Sequence, residues 1–194
     1  MNLHVNEIFY SLQGEGGRSG EASIFIRLTQ CNLRCDFCDT DFATGIDMSL
    51  DEILAQISSY PCRWIIWTGG EPTLQLTDEA LSFFKKNGYQ QAIESNGTQP
   101  ISHLLDYVVC SPKGNYNPMG AMNPQVDEIR IPVKAGDILP ALEELPTASF
   151  YFLSPVFSEN KQDTDNNIKY CVEQIKRHPQ WRLSLQIHKL IGIE

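Results

Sequence analysis

The chain has 194 residues, 42% of them hydrophobic, and a formal net charge of -9. That apolar content suffices for one well-filled core, while no apolar run approaches the roughly 20 residues a membrane span requires. The acidic balance excludes nucleic acid as the main partner, because neutralising phosphates takes a basic face.

The chain opens with Ile8-Phe9-Tyr10-Ser11-Leu12-Gln13-Gly14-Glu15-Gly16, a stretch placed before the first strand of a barrel. Ser23–Leu28 then alternates Ile24, Ile26 and Leu28 against Phe25 and Arg27, the period-2 pattern of a half-buried strand. Directly after it come Cys31, Cys35 and Cys38, three thiols spaced C-x3-C-x2-C. A hydrophilic chain with no secretory leader leads us to expect a reducing, cytoplasmic setting, in which these are not disulfide partners. A closed zinc site or a fully protein-held [4Fe–4S] cluster needs four ligands. Three thiolates can instead hold three irons of a cubane and leave the fourth open to a small molecule. Zinc stays open as an alternative, with a fourth ligand from His4, His103, His178 or His188, although none of these stands in a C-x2-H or H-x3-H pair. Cys62, Cys110 and Cys171 are scattered singly, as packed core thiols are.

Strands and helices continue to alternate. Ser49-Leu50-Asp51-Glu52 is a capping box, with Leu50, Ile53, Leu54 and Ile57 on one helical face. Arg63–Trp67 reads as a buried strand ending in Thr68-Gly69-Gly70-Glu71-Pro72. Thr77-Asp78-Glu79 opens a second helix, with Leu81 and Phe84 inward and Gly88 as its stop. Tyr89–Ile93 is a strand running into Glu94-Ser95-Asn96-Gly97, and Tyr107–Cys110 another, ending at Ser111-Pro112-Lys113. Val126–Val133 and Ser149–Leu153 follow, with a helix expected near Asp137–Leu145. A last helix over Thr164–His178 carries the stripe Ile168, Cys171, Val172 and Ile175, and Trp181–Ile187 closes the series as a strand.

This order predicts an α/β fold with a parallel sheet and right-handed crossovers. The chain is short for a complete eight-fold barrel of about 250 residues, so the expectation is one domain over 1–194, an open or partial (β/α) barrel of about six parallel strands. Loops at the carboxyl ends of such strands build the site. The cysteine loop, Gly69–Pro72, Glu94–Gly97, Ser111–Lys113 and Ser154–Phe157 all fall at those ends. The Gly-Gly pair lets backbone approach a ligand closely, and the turn's carbonyls with Glu71 suit a positively charged amino group.

The cysteine loop followed by Gly69-Gly70-Glu71-Pro72 resembles the radical S-adenosylmethionine (SAM) superfamily. More narrowly, the stretches at 8–16, Arg27, Cys35–Thr40, Glu94–Thr98, Ser111–Lys113 and Gln186–Lys189 resemble the 7-carboxy-7-deazaguanine synthase family over nearly the whole chain. The resemblance implies a [4Fe–4S] cluster on Cys31, Cys35 and Cys38, with SAM on its open iron. It implies SAM contacts from Phe37, Asp39, Gly70, Glu71, Ser111, Pro112 and Lys113, and from Ser154, Pro155, Val156 and Phe157. By the same resemblance Leu12, Gln13, Gly14, Arg27, Thr68 and the chain-end carboxylate of Glu194 meet the substrate, the last from a tail over residues 186–194. Thr40, a turn hydroxyl by residue type alone, becomes a Mg²⁺ ligand within a cluster loop spanning residues 31–40. The implied reaction contracts the ring of 6-carboxy-5,6,7,8-tetrahydropterin to 7-carboxy-7-deazaguanine with loss of ammonia. A homodimer and an electron donor such as flavodoxin are implied as well. Two rival readings stand beside it: an activase that makes a glycyl radical on a partner protein, and a zinc-stabilised, non-catalytic interaction domain.

Overall fold

A computed structural model describes residues 1–38, 44–114, 123 and 125–193. The strands are β1 (Asn2–Leu12), β2 (Ala22–Leu28), β3 (Ile46–Ser49), β4 (Trp64–Gly69), β5 (Gln90–Ser95), β6 (Tyr107–Cys110), β7 (Gln125–Val133), β8 (Thr147–Pro155) and β9 (Arg182–Leu183). Helices are α1 (Leu50–Ile57), α2 (Asp78–Lys86), α3 (Lys161–Arg177) and the short α4 (Ile187–Ile191). The strands form one sheet in the order β3-β1-β2-β4-β5-β6-β7-β8-β9. From β2 to β9 every neighbouring pair is parallel; β1 and β3 extend the β2 edge in antiparallel fashion. The sheet is therefore open and mostly parallel, and β3 and β9 are its edges.

Strand alternation separates two faces. Ile24, Ile26, Ile65, Trp67 and Ile93 pack with Leu50, Ile53 and Ile57 of α1 and Ala80, Leu81 and Phe84 of α2 in one core. Cys110, Ile129, Ile131, Val133 and Leu153 pack with Cys171 of α3 and with Trp181 in a second. The intervening positions on β2, β5 and β7 put Arg27, Glu94, Glu128 and Arg130 on the opposite face. The loop joining β1 and β2 folds across the amino ends of the strands. There the Arg18 guanidinium lies 3.6 Å from the ring centre of Trp64, the first residue of β4, a stacking that suits a planar cation.

Local signals are where the sequence places them. Ser49 and Glu52 complete a capping box on α1, and Thr77 caps α2 by accepting from the Ala80 amide at 3.4 Å. Three expectations fail. No α-helix forms near Asp137–Leu145: only a single 3-10 turn occurs, at Leu142–Glu144, because Pro140 falls inside the span and Pro146 ends it. Trp181–Ile187 is not one strand, since β9 keeps only Arg182 and Leu183 and Ile187 already begins α4. On α3, Val172 is exposed, and the buried line is Thr164, Asn167 and Cys171. The Asn167 side chain bonds the Val156 carbonyl at 2.8 Å and the Ala135 amide at 2.8 Å, which fixes the helix's facing through polar contacts. The N-terminal stretch 8–16, expected to contact substrate, begins as the last five residues of the eleven-residue β1 and leaves the strand after Leu12.

Candidate functional site

The cysteine loop leaves the end of β2 and meets the Gly-Gly turn at the end of β4. The Gly70 amide donates to the Leu28 carbonyl at 3.1 Å and the Glu71 amide to the Gln30 carbonyl at 2.8 Å. A Cβ on Gly70 would overlap the Gln30 carbonyl, so only glycine lets these two loops lie together. Glu71 is buried and does not line the cavity. Its Oε1 accepts from the Thr73 amide and hydroxyl and from Ser95 Oγ (3.1, 2.6 and 2.9 Å), and its Oε2 from the Asn96 amide (2.7 Å). Asn96 in turn donates to Asn32 in the cysteine loop at 3.0 Å. The carboxylate thus braces the three loops from behind.

Cys31, Cys35, Phe37, Cys38, Gly70, Ser111 and Lys113 share a cavity of about 200 Å³. Next to it, Ser154, Pro155, Val156 and Phe157 line a recess of about 130 Å³ that also includes Ser111, Lys113 and Phe37. Among the described residues no three His, Cys, Asp or Glu side chains converge on one point to hold an ion. The three thiols stand instead around a shared space, the disposition a cluster needs, since each iron takes its own thiolate. Burial raises the Cys35 thiol's pKa, opposed by the Lys113 charge, while Cys38 and Cys31 raise it further; a positively charged cluster relieves both burdens. Burial pushes the Lys113 ammonium's pKa down, against the opposing pull of Cys35. Its Nζ rests 2.6 Å from Ser111 Oγ and 5.8 Å from the ring centre of Phe37. The residues therefore fit a three-thiolate [4Fe–4S] cluster with a small cationic cofactor. Pro112, between Ser111 and Lys113, is buried. Asp39, Thr40 and Glu194 lie outside the described residues.

A second cavity, also of about 200 Å³, holds Leu12, Gln13, Gly14, Arg27 and Thr68 together. Phe9 and Phe25 form one wall as a stacked pair with ring centres 4.8 Å apart. At that end Arg27 Nε contacts Glu7 at 2.6 Å. His188 of α4 packs on Gly14, where a Cβ would meet its ring. Glu15, Thr68, Glu94 and Arg130 line both cavities and form the partition between them.

That partition is ionic. Arg130 spends all five N–H donors on three carboxylates: Glu128 at 2.7 and 2.9 Å, Glu15 at 2.8 Å, and Glu94 at 3.1 and 3.3 Å. Although burial opposes its charge, the carboxylates hold the Arg130 pKa above its ordinary value. One guanidinium against three carboxylates leaves negative charge in excess, and Glu94 is the carboxylate that burial drives towards its neutral form. Burial, helped by the like charges of Glu128 and Glu15, raises its pKa to about 7 against the pull of Arg130. Such a group seeks a proton or a donor-rich ligand.

Sequence reading reached Glu94 only as part of a strand-end loop, and Phe9, Glu15 and His188 only within the substrate-contacting segments 8–16 and 186–194; it did not assign Phe25 or Arg130 to the site. One signal was present: Glu128 and Arg130 interrupt a strand whose Ile129, Ile131 and Val133 are core. Charges at period 2 in a buried strand point into a polar interior.

The Radical SAM superfamily matches residues 25–114 of the chain. A curated 7-carboxy-7-deazaguanine synthase of Bacteroides thetaiotaomicron is 43% identical over 193 residues, covering 100% of both chains. The one of Neisseria meningitidis serogroup B is 41% identical, over 98% of this chain and 93% of its own. The crystal structure of QueE from Escherichia coli superposes with a TM-score of 0.74 at 25% identity, covering 97% of this chain and 95% of that one.

Proposed function

The chain belongs to the 7-carboxy-7-deazaguanine synthase family of radical SAM enzymes, and we propose that its two adjoining cavities divide the reaction between cofactor and pterin. It is a radical SAM lyase of 7-deazapurine (queuosine) biosynthesis, and its cofactors are a [4Fe–4S] cluster and SAM. Cys31, Cys35 and Cys38 hold the cluster, which with SAM supplies a 5′-deoxyadenosyl radical able to take hydrogen from the substrate. The turn at Gly70, the Ser111–Lys113 turn and Ser154–Phe157 with Phe37 enclose SAM, and Glu71 serves it by bracing the loops.

The observation that carries the division of labour is the charge layout of the second cavity. 6-Carboxy-5,6,7,8-tetrahydropterin has a carboxylate at one end and the N–H donors of an aminopyrimidine at the other. Arg27 comes to the cavity from β2, and Glu94, bonded by Gln13, comes from β5 on the far side of β4. The guanidinium matches the carboxylate, and the Glu94 carboxylate accepts from the donor edge. Phe9 and Phe25 cover a ring face, and Leu12, Gly14 and Thr68 set the depth. Thr68 and Glu94, which line both cavities, would set how SAM and the substrate face each other, and Arg130 holds that partition together.

The remaining assignments extend this reading. Thr40 would hold Mg²⁺, and Glu194 would contact the substrate. The whole of 1–194 acts as one catalytic domain. The same reading gives a reducing, cytoplasmic setting, in which the cluster thiols stay available to iron, and an electron donor such as flavodoxin. The exposed apolar side chains of Leu190, Ile191 and Ile193 support pairing of two copies.

Anaerobic reconstitution with iron and sulfide, then incubation with SAM, reductant and the carboxytetrahydropterin, tests the proposal by product mass. Conversion to 7-carboxy-7-deazaguanine is expected, and recovery of intact pterin alongside cleaved SAM overturns the substrate assignment. Arg27→Ala is expected to weaken pterin binding about tenfold or more while leaving SAM binding unchanged, the scale of a lost charge-assisted bond.

A further inference from the structure

Within the proposed pterin cavity, we infer that Glu15 is a positioning residue that locks the β1–β2 loop, Arg130 and the C-terminal tail into one arrangement and acts on the substrate through Glu94. The inference rests on the reading of this cavity as the pterin site.

Glu15 reaches Glu94 by two independent routes. Its Oε2 accepts from Arg130 Nη1 at 2.8 Å, and the same Nη1 donates to Glu94 Oε2 at 3.1 Å. Its backbone amide donates to Gln13 Oε1 at 3.1 Å, and Gln13 Nε2 donates to Glu94 Oε1 at 3.0 Å. The result is a closed ring of four residues. The ring fixes which way the Gln13 amide faces, since its oxygen must meet the Glu15 amide and its nitrogen the Glu94 carboxylate. A pterin edge therefore meets a pre-set donor and acceptor pattern.

The other carboxylate oxygen ties in the tail. Glu15 Oε1 accepts from Gln186 Nε2 at 2.7 Å, the next residue's amide, on Ile187, donates to the Gly14 carbonyl at 2.9 Å, and Gly16 bonds Ser184 Oγ at 2.9 Å. Residues 14–16 and 184–187 thus run as a laced pair, and it places His188 against Gly14. Glu15 keeps only 16% of its side-chain exposure, so each oxygen depends on its protein partner.

Glu15 also sets the charge on Glu94. That carboxylate faces Arg130 and Glu128 from β7, Glu15 and Gln13 from the loop, Cys110 from β6 and Lys113 from the turn beyond it. Removing the Glu15 charge takes away one like charge and leaves Arg130 more fully to Glu94. Glu94 then ionises at lower pH. Since the ionised form accepts the pterin donors, binding strengthens with pH through the Glu94 transition, and that transition moves downward in the variant.

The test is Glu15→Gln, close in shape but uncharged and unable to accept with both side-chain ends. In the reconstituted holoenzyme with SAM, pterin affinity at pH 8 is expected to fall about tenfold, because Gln13 and Glu94 are no longer pre-set for the pterin edge. The midpoint of its pH dependence is expected to shift to lower pH, with iron content and SAM affinity unchanged. Hydrogen exchange of the amides of Ile187–Ile193 is expected to quicken even without cluster or SAM. Gln186→Ala, which removes only the tail contact, is expected to quicken the same amides without moving the pH midpoint, and it carries the test if Glu15→Gln does not fold. Unchanged pterin affinity and midpoint in Glu15→Gln, an equal loss of SAM and pterin affinity, or unchanged tail exchange in both variants overturns the inference. If the wild-type holoenzyme binds no carboxytetrahydropterin, the failure belongs to the proposed substrate instead.

Discussion

The cavity at the cysteine loop is made of short consecutive stretches, three thiols within eight positions and a Gly-Gly turn, each at the end of its own strand. The cavity beside it takes Gln13 from the loop after β1, Arg27 from β2, Glu94 from β5, Arg130 from β7 and His188 from α4. One is written in local sequence, and the other exists only after the sheet has ordered its strands. The contrast predicts different failures. Damage to the first removes a cofactor and leaves the fold; damage to the second unbalances charge buried inside the fold.

The largest effect expected is at the thiols. Cys31→Ala, Cys35→Ala or Cys38→Ala deprives one iron of its ligand, and SAM cleavage should fall below detection while the apo protein unfolds at an unchanged denaturant midpoint. Retained cleavage by any of the three would remove that residue from the cluster.

Arg130→Met should do the reverse. It leaves Glu15, Glu94 and Glu128 without their shared cation, and stripping one partner from a buried ionic cluster costs about 3–5 kcal/mol. Denaturant unfolding of the apo protein measures it. A loss no larger than that of a surface pair, below about 1 kcal/mol, would mean that the carboxylates are solvated and the partition is not closed.

A pH profile probes the same partition more gently. The folded pKa of Glu94, about 7, lies above its unfolded value, because burial favours the neutral acid. The folded state therefore binds the extra proton between the two values, and this group's contribution to stability is full below about pH 4.5 and declines as pH rises to about 7. Glu94→Gln stays neutral throughout, so wild type should lose stability relative to the variant between pH 5 and pH 8. Parallel curves would assign the transition to another group.

The same division explains what the sequence made legible. Caps, strand alternation and the cysteine spacing depend on neighbours a few positions apart, and Ser49, Thr77 and the Ser23–Leu28 alternation all read correctly. The open, mostly parallel sheet followed from their order. Arg27 could be assigned to the non-core face but not to its contact with Glu7, which depends on the antiparallel register of β1 with β2. Arg130 was hidden because its partners come from three separate segments, two of them 115 and 36 positions away. The missing helix near Asp137–Leu145 was legible in principle, since Pro140 falls inside the span and Pro146 ends it. The tail after Trp181 misread because Ser184 and Gln186 serve the β1–β2 loop rather than a ladder.

The smallest expected effect calibrates the comparison. Thr77 lies on the helix-covered side of the sheet, its hydroxyl accepting from the Ala80 amide at the start of α2. Thr77→Ala removes one cap, which costs about 1 kcal/mol, and one amide then turns to water, which reaches this exposed end. Nothing in the cap connects to either cavity, so SAM and pterin affinities should be unchanged while the denaturant midpoint falls. If pterin affinity dropped in step with that midpoint, the cavity's geometry would be tracking global stability. The losses at Glu15, Glu94 and Arg130 would then reflect a softened fold rather than the charge pattern of the partition.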